Sequence, residues 1–67
     1  MSKLWAAEIV WKFQVDHNRG MTRRELADAM GCKQTRNIPG IRAAIKDNLV
    51  RYDDDGLLIP IRGGVSA

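Results

Sequence analysis

Between Met21 and Gly56 the chain carries an uninterrupted series of local stop and start signals, and these constrain the fold more than any other feature. Thr22-Arg23-Arg24-Glu25 has the form of a capping box, in which the Thr hydroxyl meets the third backbone amide and Glu25 reaches back to the cap. Leu26, Ala27, Ala29 and Met30 then give an inward stripe, and Gly31 stands where helices end in the left-handed conformation. Cys32-Lys33-Gln34-Thr35 reads as a polar turn. A second helix opens on Arg36-Asn37-Ile38-Pro39, since proline is favoured in a first helical turn and biases Ile38 away from helical angles, making Asn37 or Ile38 the cap. Ile41, Ala44, Ile45 and Leu49 recur at helical spacing and face the core, leaving Gly40, Ala43, Lys46 and Asp47 outside. Val50-Arg51-Tyr52 and Leu57-Leu58-Ile59 flank Asp53-Asp54-Asp55-Gly56, and Asp-Gly between apolar runs is a strong hairpin signal. Pro60 confines the second strand to an edge.

A further helix precedes this block, capped by Ser2 and running to about Val15 or Asp16, with Gly20 suited to the left-handed position after it. At about 100° per residue its apolar side chains fall on two faces. Trp5, Ala6, Ile9, Val10 and Phe13 form one, which the core can use; Leu4, Trp11 and Val15, with Ala7 at the edge, form the other. An exposed Trp beside Leu and Val at helical spacing marks a protein interface, and the expectation is a homodimer or another protein contact through Leu4, Trp11 and Val15. The alternative is that a C-terminal strand or the tail folds back over Trp11.

Sixty-seven residues make one small domain, and a core of that size gives only about 3 to 5 kcal/mol. Small scaffolds gain support from disulfides, metals or partner chains. The lone Cys32 excludes an internal disulfide, and one Cys with one His falls short of a zinc set, so oligomerisation is the support left. No run reaches the roughly 20 apolar residues of a membrane span, and the charged N-terminal segment does not read as a signal peptide. A cytoplasmic protein without a membrane partner is expected.

The segment Thr22 to Gly31 resembles the first helix of bacterial and phage helix-turn-helix regulators, and the order of elements over residues 5–60 resembles a winged helix-turn-helix. That resemblance implies a mainly α fold, three helices with a short two-stranded β-hairpin wing, spanning residues 1–62, followed by a flexible tail, residues 63–67. It also implies a sequence-specific DNA-binding regulator that acts as a dimer on a short palindromic site and inserts the N-terminal part of its third helix in the major groove. Gln34, Thr35, Arg36 and Asn37 would read bases: Arg suits guanine, Gln or Asn suits adenine, and Thr meets a thymine methyl. Arg23, Arg24, Lys33 and Lys46 would hold phosphates. Solvated polar residues at helix ends are the ordinary alternative. Residues 19–51 carry eight basic and three acidic side chains, an excess of five positive charges, as a phosphate-binding face requires.

Asp53-Asp54-Asp55 argues against a wing that grips phosphate. Asp residues are good turn formers, the ordinary reading; a contact with a basic protein partner is the alternative, and a metal site is disfavoured because the alternating Asp spacing of a calcium loop is absent. Arg62 stands where it could reach a phosphate beside the wing. No enzyme activity, cofactor or metal is expected: His17 and Cys32 are not brought together by the motif order, and no phosphate-cradling glycine loop occurs. The competing function is a protein-binding module that blocks or bridges another protein through the Trp11 stripe or the Asp53–Asp55 hairpin tip.

Overall fold

Helix α1, Ser2–His17, runs across one side of the domain, followed by α2, Arg23–Ala29, α3, Ile41–Lys46, and a hairpin of strands β1, Val50–Tyr52, and β2, Leu58–Pro60. This is the computed structural model of the chain, and it describes residues 2–61. Arg62 and the tail expected over residues 63–67 lie outside the described residues. The fold is mainly α, three helices and a two-stranded antiparallel hairpin, as the element order predicts. No described helix is long and apolar enough to cross a membrane.

Helix α2 forms where its local signals place it. The Thr22 hydroxyl accepts from the Glu25 amide at 3.0 Å, and the Thr22 amide donates to Glu25 Oε1 at 2.9 Å, so both halves of the capping box are made. At the other end Gly31 takes φ 74, its amide donates to the Asp28 carbonyl and Cys32 donates to that of Ala27. These are the two bonds of a Schellman motif. Asn48, at φ 61, ends α3 in the same way, with Asn48 donating to Ile45 and Leu49 to Ala44.

Glu25 also accepts two hydrogen bonds from the Arg19 guanidinium, at 3.1 and 2.8 Å. That pairing, with the Thr22 amide second, lowers the Glu25 pKa to about 2 from a usual 4.5. A carboxylate with a depressed folded-state pKa contributes stability above its unfolded value, and the contribution is lost as pH falls through the folded value. The window is therefore pH 4.5 down to about 2. Glu25→Gln keeps a residue competent for the capping box but removes the ion pair. The thermal midpoint of the parent should fall faster than that of Glu25→Gln across this window; parallel curves would show that the Arg19 pair contributes nothing.

The hairpin closes by a three-residue turn with a glycine bulge. Gly56, at φ 80, donates to the Asp53 carbonyl, and the Asp53 amide donates to Leu57. The Asp53 carboxylate accepts from the Asp55 and Leu57 amides at 2.8 and 2.9 Å, so one of the three acidic side chains serves the turn itself. Strand pairing sets Val50 opposite Pro60, Arg51 opposite Ile59 and Tyr52 opposite Leu58. Ladder bonds join Ile61 to Leu49 and Asp53 to Leu57, so alternation turns the backbone nitrogens of Pro60 and Leu58 away from β1. Proline is tolerated there because no bond to β1 is due. Leu58 uses its outward groups on Met21, donating at 2.7 Å and accepting at 2.9 Å, which makes an antiparallel bridge along the outer side of β2.

The core collects Ala6 and Val10 from α1, Leu26, Ala27 and Met30 from α2, Ile41 and Ala44 from α3, and Met21, Ile38, Val50 and Leu58 from the rest. Ile9, Phe13, Ile45 and Leu49 pack against it half-buried. Lys3 pairs with Asp47, holding its carboxyl below the usual range and tying the start of α1 to the end of α3.

Four sequence expectations are corrected. Helix α1 begins at Ser2 and extends to His17, and the left-handed residue after it is Asn18, at φ 55, not Gly20. Gly20 is instead buried where β2 crosses close above it; a Cβ there would lie 2.6 Å from Leu57 Cβ. Trp5, assigned to the core face, is 51% exposed, because the small core under α1 is filled by Ala6 and Val10. Ala29 is exposed as well. The fourth concerns the start of α3 and shapes the site described next.

Candidate nucleic-acid interface

Eleven residues, 30–40, connect α2 to α3 without forming a helix, and Gly40, not Asn37 or Ile38, is the residue before the first helical position. Ile38-Pro39-Gly40-Ile41 is a turn: Ile41 donates to the Ile38 carbonyl, and Gly40 has φ 78 and ψ −10. Those angles with proline in the second position give a type II turn, which requires positive φ at the third residue and so suits glycine. Both ends of the turn are buried, each 4% exposed, so the reversal drops Ile38 and Ile41 into the same core. Pro39 therefore serves the turn and not the first turn of a helix. Gln34, Thr35, Arg36 and Asn37 consequently stand on the connector ahead of α3, not on the helix itself.

The connector is braced from α2. One guanidinium nitrogen of Arg23 donates to the Thr35 carbonyl at 2.6 Å and to that of Arg36 at 3.4 Å. Arg23 thus fixes the backbone on which Arg36 and Asn37 stand.

Beside this brace lies an open cleft of about 290 Å³. Arg23, Arg36 and Asn37 line one side of it, and Arg42 of α3 and Tyr52 of β1 line it too. Ile38, Ile41 and Ile45 make its apolar floor. Three arginines line it, and no acidic residue is among the lining residues. Tyr52 is 38% exposed and offers a ring and a hydroxyl to an occupant. Chemically the cleft suits an anionic, partly planar group, because guanidinium forks pair with phosphate oxygens and stack on flat rings.

Of the residues assigned to DNA from sequence, the fold brings Arg23, Arg36 and Asn37 together at the cleft. Gln34 and Thr35 stand beside them on the connector, Gln34 exposed and Thr35 half-buried. Arg24, Lys33 and Lys46 are exposed but do not line the cleft. Arg42 and Tyr52 are the additions that sequence reasoning missed. Arg42 follows a core residue, Ile41, and its place in the basic excess of residues 19–51 was the available signal.

The acidic tip follows directly on Tyr52. Asp54 and Asp55 are exposed, while Asp53 is held in the turn. Among the described residues no group of three or more His, Cys, Asp or Glu side chains is placed to hold a metal ion. Leu4, Trp11 and Val15 are 58%, 37% and 67% exposed, Trp11 being the most covered of the three.

Compared with protein-family models, with curated proteins and with solved structures, the chain matches none.

Proposed function

We propose that the chain is a small winged helix-turn-helix protein that binds double-stranded DNA and regulates transcription, with the connector before α3 as its reading segment. The observation that carries this is the cleft where Arg23, Arg36 and Arg42 gather without a lining carboxylate. Arg36 and Asn37, with Gln34 and Thr35, reach base edges; Arg42 joins the phosphate contacts with Arg24, Lys33 and Lys46, while Arg23 positions the connector. The order α1, α2, α3, hairpin supports the reading, as does the Met21 bridge that docks the hairpin on the link between α1 and α2. The exposed Asp54 and Asp55 of the hairpin tip offer nothing to phosphate, so the cleft and not the tip supplies the affinity.

Fluorescence anisotropy with mixed-sequence duplex across 50 to 200 mM salt tests it. Counterion release from three or four phosphate contacts predicts a loss of affinity of roughly 40- to 150-fold over that range. Arg42→Ala should make the salt slope shallower by about one unit, and Arg36→Ala should relax sequence preference by about 1 to 3 kcal/mol. Absence of binding at the lowest salt would overturn the DNA reading. The second reading, a protein-binding module, would then take its place, on the exposure of Trp5 and Trp11 and of Asp54 and Asp55.

A further inference from the structure

We infer that the outer face of α1 is self-complementary: two copies lay their first helices antiparallel across a two-fold axis near residue 10, Leu4 of each meeting Val15 of the other and Glu8 meeting Lys12. Leu4, Trp11 and Val15 form one stripe along three turns, all exposed. Glu8 and Lys12 are exposed along one edge of that stripe, and neither has an ion pair among the described residues, whereas Lys3 and Arg19 are both paired.

The order of these residues selects the occupant. Leu4 stands six positions before residue 10 and Val15 five after; Glu8 stands two before and Lys12 two after. A two-fold axis across the helices reverses chain direction while setting each flank against the same flank of the mate. Apolar ends then meet apolar ends, and each acid meets a base, twice over. A parallel pair, whose two-fold axis runs along the helices, sets each flank against the opposite flank of the mate and leaves Glu8 and Lys12 without each other. Trp11 lies next to the axis, where a large aromatic contributes most to an isologous contact. The result is an apolar centre with a charged rim. No α1 residue lines the arginine cleft, so the contact leaves both clefts open and stands or falls independently of DNA binding.

Sedimentation equilibrium of the full chain, from micromolar to near-millimolar, should give twice the chain mass. Trp11→Asp should return it to the chain mass with its circular dichroism spectrum retained. Glu8→Lys and Lys12→Glu, both at exposed sites, should each weaken self-association about tenfold. An equimolar mixture of these two variants should restore it, since the mixed pair is again complementary. In a Cys32→Ser background, Leu4→Cys should form a disulfide with Val15→Cys in preference to itself. A parent at the chain mass throughout would overturn the dimer. Association that ignores both charge reversals, or a preferred disulfide between two Leu4→Cys chains, would overturn the antiparallel pairing, and these arms hold even if Trp11→Asp fails to fold.

Discussion

Leu58→Ala is expected to cost about 2 to 5 kcal/mol and to leave much of the chain unfolded at room temperature. Leu58 is fully buried and is among the largest fully buried side chains of the domain. A core of this size supplies about 3 to 5 kcal/mol in all, so the loss is comparable with the whole stability. Its backbone bonds to Met21 survive the substitution, which confines the effect to the packing of the side chain. Urea unfolding followed by circular dichroism measures it. A loss under about 1 kcal/mol would mean that the strand can move in to fill the space.

Gly20→Ala should cost about 2 to 4 kcal/mol, a large effect for one methyl group. The new Cβ would sit 2.6 Å from Leu57 Cβ, 3.0 Å from Ile59 Cγ2 and 3.3 Å from the Leu58 carbonyl oxygen. Leu57 Cβ is bonded directly to the backbone, so a rotamer change cannot clear the clash and β2 must shift. Gly31→Ala is the control: nothing lies within 4 Å of its added Cβ, but φ is +74, and the cost there is about 1 kcal/mol of left-handed strain. Equal losses, or a larger one at Gly31, would refute the close approach at Gly20. Both large effects fall on the seam between residues 20–21 and β2, which fixes where the hairpin holds Tyr52 against the arginine cleft.

The capping box was legible because Thr22 and Glu25 satisfy each other within a single turn, whatever packs around them. Gly31 and the Asp53–Gly56 turn were legible for the same reason, each being closed by bonds between residues at most five apart. Pro39-Gly40 was not, because its local chemistry has two solutions. Proline opens a helix, and Pro-Gly makes a type II turn; burial of Ile38 and Ile41 on either side selects the turn. The base-reading candidates moved onto the connector as a consequence. Gly20 was misassigned because the strand that excludes its Cβ is nearly forty residues away in sequence.

On α1 the division is the same. Periodicity alone found two apolar faces and marked Leu4, Trp11 and Val15 as the one left over. It could not tell that Trp5 would also be left outside, since that depends on how much core the other elements provide, and Ala6 and Val10 exhaust it. By itself the sequence determined the elements whose bonds close locally, together with the mainly α fold class and the basic balance of the middle of the chain. Only tertiary packing decided where the connector turns, which arginines meet, and which aromatic side chains stay in water, because burial is shared among elements and no single segment carries it.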